Sequence, residues 1–163
     1  MLYVDHELSY DLRDKDQVFR ITSQHDENGD VKESSAKNYI GLRHILKENF
    51  PELTSYTAFS TIPANTGLLF GYRGEIFNEL GGSIMADSNF FEVFNSLIIK
   101  GNPETALDNP HTMVITEQIA NKVFGGTDEV LGKQLDNLED GGSYIITGVI
   151  KDFPDNTQLC FTC

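Results

Sequence analysis

The chain has 163 residues, 39% of them hydrophobic and 23% charged, enough for one compact domain or two small lobes and too apolar for wholesale disorder. Acidic residues outnumber basic ones 25 to 12, and a net charge of −13 repels nucleic-acid phosphates and anionic lipid headgroups. No apolar run approaches the ~18 residues of a membrane helix, and Met1–Tyr10 carries Asp5, His6 and Glu7 where a signal peptide needs an apolar segment.

Asp5–Lys15 is a polar lead-in. Gln17–Ser23 alternates, with Phe19 and Ile21 on one face, and predicts a strand. Asp26–Asp30 (DENGD) reads as a turn, since Asn28-Gly29 suits positive φ. Ser35–Phe50 has the spacing of an amphipathic helix through Tyr39, Leu42, Leu46 and Phe50, with Ser34 or Ser35 as cap and Pro51 as stop. Leu53–Ile62 returns as a strand, so this stretch predicts a βαβ unit or a split version of one.

Gly67–Ala86 is β-rich, with a turn at Arg73-Gly74. A short helix over Ser88–Phe94, capped by Asp87 or Ser88, puts Phe90, Phe91 and Phe94 in one stripe, which is expected to be core. Asn102-Pro103 opens a turn and Met113–Ile115 is a short strand. A helix follows from Thr116, burying Ile119, Ala120 and Val123 and stopped by a left-handed Gly125. Ser143–Lys151 is apolar on both faces and reads as a buried central strand, closed by Pro154.

The fold class expected is α+β, with a mostly β middle inserted between elements of one βα layer.

Apparent catalytic motifs fail on spacing. His6-Glu7-Leu8-Ser9-Tyr10 has Tyr10 where a zinc-protease helix needs its second histidine. Gly126 to Gly132-Lys133 has the wrong loop length for a phosphate loop, and Gln134 replaces the magnesium-holding hydroxyl. The acidic loop Asp26–Asp30 lacks the EF-hand's glutamate, Ser35 standing in its place. Asp136, Glu139 and Asp140 are expected in a solvated Gly-rich turn, and His111 in a loop. Cys160 and Cys163 form one terminal C-x-x-C without the second pair a zinc site needs, and His6, His25, His44 and His111 have no ligand spacing. The expectation is no enzyme, no cofactor, no metal and no nucleic-acid partner.

Four ordered segments resemble the periplasmic core domain of MacB/FtsX-like ABC transporter permeases: Glu7–Ile21 (ELSYDLRDKDQVFRI), Ile84–Leu107 (IMADSNFFEVFNSLIIKGNPETAL), Met113–Leu135 (MVITEQIANKVFGGTDEVLGKQL) and Tyr144–Leu159 (YIITGVIKDFPDNTQL). Leu12-Arg13 and Thr157-Gln158 depart from the family's usual Phe-His and Ser-His. The resemblance implies the periplasmic face of a bacterial inner membrane, a multi-pass permease dimer, and a cytoplasmic ABC ATPase domain or subunit as partner. It also implies transmission of ATPase-driven motion to a periplasmic adaptor or substrate protein, in an efflux or lipoprotein-release type of system. For the fold it implies a porter-like α/β lobe, residues 1–62 plus 143–163 and incomplete at its C-terminal side, split by an inserted, mostly β lobe of residues 63–142. That incompleteness predicts an exposed edge beside Ser143–Lys151. The resemblance assigns no catalytic or partner-contacting residue. The alternative is a free-standing periplasmic ligand- or peptide-binding module.

Overall fold

The computed structural model describes residues 21, 23–27, 30–35, 42–62, 68–79, 83–94 and 97–152. They form two compact units, one ending at Tyr56 and the other beginning at Thr57. The predicted strand Gln17–Ser23 falls almost wholly outside the described residues, as do Pro154, Cys160 and Cys163.

The first unit contains an antiparallel hairpin, β1 (Ser23–Glu27) and β2 (Asp30–Ser35), and helix α1 (Leu42–Asn49). Asp26 pairs with Val31 and Glu27 with Asp30, so both flanks of the acidic segment belong to the ladder. The loop expected over Asp26–Asp30 therefore shrinks, and polar residues without alternation take up the ladder. Ser34 and Ser35 end β2, the start of the expected helix lies outside the described residues, and its described part runs from Leu42 to Asn49, ahead of Pro51.

The second unit is built on a six-stranded sheet. Its members are β4 (Leu68–Tyr72), β5 (Glu75–Glu79), β7 (Ile98–Gly101), β8 (Thr112–Thr116), β9 (Gln134–Asn137) and β10 (Ser143–Ile150). A separate pair joins β3 (Phe59–Ile62) to β6 (Ser83–Ala86). Helices α2 (Phe90–Val93) and α3 (Glu117–Phe124) complete it. The domain is thus mixed α/β, with a mostly antiparallel sheet.

The strand expected over Leu53–Ile62 is only Phe59–Ile62, because β6 is four residues long and offers no ladder beyond it. The Ala58 amide instead donates to the Asp87 carboxylate at 3.1 Å. That bond occupies the side chain expected to cap α2, and Asn89, at the cap position, makes no side-chain bond to it. The first strand of the expected βαβ unit lies almost wholly outside the described residues. The parallel pair is β8 with β10, bridged by α3 and β9.

Strand β10 is the centre of the unit. One edge bonds β8 along Ile145–Ile150, and the other bonds β9 at Ser143–Ile145 and β7 at Gly148–Ile150. The expected exposed edge beside Ser143–Lys151 is therefore absent: both edges are filled from within the chain. The strand grouped from sequence with residues 1–62 bonds the strands of residues 98–137.

Two apolar clusters lie against this strand. Ile115, Ala120, Val130, Leu135, Ile146 and Val149 pack beneath α3, with Phe70, Tyr72 and Phe124 around them. Phe90, Phe91, Phe94, Ala106 and Ile150 form the second cluster, in which the Phe stripe is core as expected. Phe59 meets Phe90 edge to face at 5.7 Å between ring centroids, tying β3 to α2. A register shift between Ile146 and Gly148 is what lets Ile146 and Val149 share one face.

Helix α3 follows its sequence signals residue by residue. The Thr116 hydroxyl accepts from the Ile119 amide at 3.2 Å, and Gly125 closes the helix with φ 76°.

Candidate functional site

The polar groups that look most like chemistry cluster on the β9–β10 hairpin. Asp136 is in β9, not in the turn, and its carboxylate accepts the Ser143 hydroxyl at 2.6 Å across the ladder. At the tip, Asp140 accepts from the Gly142 amide at 2.7 Å and from the Tyr144 hydroxyl at 2.8 Å. Asn137 accepts from the Glu139 amide at 3.0 Å. His111, with φ 57°, lies 5.4 Å from the Tyr144 ring.

These bonds set the electrostatics. The Gly142 and Tyr144 hydrogen bonds hold the Asp140 carboxyl below its ordinary value, with His111 adding a weaker pull. The same bond to Asp140 raises the Tyr144 phenol. A carboxylate held ionised and engaged by two donors is neither a general acid nor an available base. The cluster shapes a hairpin tip in solvent.

A second group joins β7 to the loop after α3. Lys100 pairs with Asp128 at 2.6 Å and donates to the Thr127 carbonyl at 3.0 Å. The Asp128 side chain is 98% exposed, so the pair adds little stability. Beside it, Phe124, Gly125, Glu129, Val130 and Lys133 line a shallow open depression, where the Lys133 ammonium sits 5.0 Å from the Phe124 ring centre. The Gly126–Lys133 stretch that imitates a phosphate loop thus buries Val130 and engages its lysine on a ring. Among the described residues no three His, Cys, Asp or Glu side chains converge as a metal site, and no helix is long and apolar enough to cross a membrane.

The described polar groups assemble no catalytic constellation, and likeness to known proteins gives the class. The profile of the MacB-like periplasmic core domain matches residues 1–160. The chain belongs to that family. It is a periplasmic or extracellular domain of ABC transporter permeases, not itself catalytic. A domain from a Porphyromonas gingivalis protein described as a permease is 25% identical with a TM-score of 0.56, over 69% of this chain and 46% of that one.

The periplasmic region of MacB from Actinobacillus actinomycetemcomitans is 16% identical, TM-score 0.46, over 71% of this chain and 57% of that one. The extracellular domain of the noncanonic ABC-type transporter YknZ from Gram-positive bacteria is 18% identical, TM-score 0.47, over 64% of this chain and 53% of that one. The chain thus spans about half the length of each of these three structures. No curated protein matches it significantly.

The family segments recognised in the sequence acquire physical roles in this fold. Ile84–Leu107 supplies the second core cluster through Phe90, Phe91, Phe94 and Ala106. Met113–Leu135 supplies β8, α3 with both caps, and the buried Val130 and Leu135. Sequence reasoning missed β9 as a strand. Its four residues, QLDN, bury only Leu135, and the alternation signal was too short to separate from the adjoining turn.

Proposed function

We propose that this domain is the part of a multi-pass bacterial inner-membrane permease that stands on the periplasmic face and transmits ATPase-driven motion to a periplasmic adaptor or substrate protein. The observation that carries the reading is the family match, which extends over residues 1–160. The β10-centred sheet supports it physically: a strand bonded on both edges and packed on both faces moves with its surroundings as one body. The driving partner is then a cytoplasmic ABC ATPase domain or subunit, and the working unit a permease dimer. The lobe boundary is proposed at Tyr56/Thr57, where the two compact units divide, in place of the boundaries assigned from sequence.

Impermeant maleimide labelling tests this placement in the full-length permease. Cys160 and Cys163 are replaced by Ser, and the exposed Glu104 is changed to Cys. In spheroplasts Glu104→Cys is expected to label without lysis, and the permease to co-purify with an ATPase. Labelling that appears only after lysis would overturn the reading.

A further inference from the structure

The strands β5, β4, β9 and the first half of β10 have two unlike faces. One carries Phe70, Tyr72, Leu135 and Ile146 and is packed beneath α3. The other is open. Cross-strand pairing of Gly71 with Ile76 and Asp136, and of Asp136 with Ser143, puts alternate residues of the four strands on that open side. Leu69, Ile76, Leu138 and Ile145 stand on it, exposed by 36%, 68%, 47% and 47%. Leu138 reaches in front of Gly71, the partner of Ile76: a Cβ built at Gly71 would sit 3.5 Å from Leu138 Cδ2, while Ile145 stands opposite Gln134 on the far side of β9.

The charge on this face has one sign. Asp136 is the charged residue among its ladder positions, and Glu139 and Asp140 follow at the adjoining tip. The cations that flank these strands turn to the other side. Arg73 stacks on Tyr72 at 5.3 Å and Lys133 on Phe124 at 5.0 Å, both rings of the α3-covered cluster. A second copy of the chain is a poor occupant, because it would set Asp136, Glu139 and Asp140 against their equivalents between bodies of net charge −13. An anionic membrane surface is repelled for the same reason. A polypeptide whose apolar residues are bordered by Lys or Arg complements both properties of the face.

We infer that the open face of the β5–β4–β9–β10 sheet, centred on Ile76 and Leu138, docks a basic amphipathic segment of a partner protein. Apolar contact holds the partner, and Asp136, Glu139 and Asp140 select its charge. The inference rests on the sheet alone and stands whether or not the domain moves with an ATPase.

The test uses the full 163-residue chain, isotope-labelled, with a short helical Lys/Leu peptide as probe and its Glu/Leu counterpart as control. The Lys/Leu peptide is expected to shift the amides of Leu69, Gly71, Ile76, Leu138 and Ile145, and the Glu/Leu peptide to bind at least about tenfold more weakly. The double variant Ile76→Ser/Leu138→Ser is expected to weaken Lys/Leu binding about tenfold or more while the amides of Ile115, Ala120 and Val149 stay in place. Removing two distant acids, Glu104→Gln with Glu129→Gln, is expected to change binding less than about twofold. Equal binding by the double variant, or shifts spread over every acidic loop, would overturn the proposal. So would sedimentation showing that the unliganded chain self-associates through these residues.

Discussion

Gly101 faces Gly148 across the β7–β10 ladder, and the two backbones approach closely. A Cβ at Gly101, where φ is 97°, would lie 2.4 Å from the Thr147 carbonyl oxygen and 3.0 Å from the Gly148 Cα. Neither backbone atom can swing away as a side chain would. Gly101→Ala is therefore expected to cost about 2 kcal/mol or more, combining left-handed strain with the clash, as read from urea unfolding. The hairpin tip supplies a titration at the same scale. Asp140 is held below its ordinary value, so its contribution to stability is present above the unfolded carboxylate range and lost as pH falls through the lowered folded value. A carboxyl-carbon NMR titration should place the Asp140 midpoint below the ordinary aspartate value. In Tyr144→Phe, which removes one donor, its midpoint should move upward; an unchanged midpoint would remove Tyr144 from the account.

Among the elements, α3 is where local signals and tertiary packing agree most fully. Thr116, Glu117, Ala120 and Gly125 each do locally what their positions require, and the helix then buries Ala120 against β8 and β10. Thr116→Ala is expected to destabilise the chain by about 1 kcal/mol, while Thr116→Ser, keeping the acceptor oxygen, should lose much less. Thermal melts of the two variants distinguish the cap from simple loss of a methyl group. The legibility of other elements follows the length and apolarity of their signals. β10, with Ile145, Ile146, Val149 and Ile150, announces itself, and so does the Phe stripe of α2. β1 (SQHDE) and β2 (DVKESS) contain almost no apolar residues, so hydrophobic alternation carries no signal for their pairing. The cap expected at Asp87 or Ser88 falls at Asn89 instead, and the Asp87 carboxylate accepts from Ala58, 29 positions earlier, a partner no local window contains.

At the level of the whole molecule, local pattern identified β10 as buried and central but not which strands would flank it. Its neighbours come from residues 98–137, and the pairing is non-local on both edges. Family resemblance named the class of protein and left the surface undescribed, because its motif residues, Phe90, Ala106, Ala120 and Gly148 among them, serve packing. The open apolar face emerged only once Leu69, Ile76, Leu138 and Ile145, separated in the chain, were aligned by the ladder. The proposed function requires that this domain move when an ABC ATPase partner works. Spin labels at Glu104→Cys in both protomers of the full-length dimer, with Cys160 and Cys163 replaced by Ser, measure that motion directly. The inter-label distance distribution by pulsed electron paramagnetic resonance is predicted to shift between the nucleotide-free and the ATP-bound, hydrolysis-blocked permease. Superimposable distributions in the two states, with nucleotide binding verified, would contradict it.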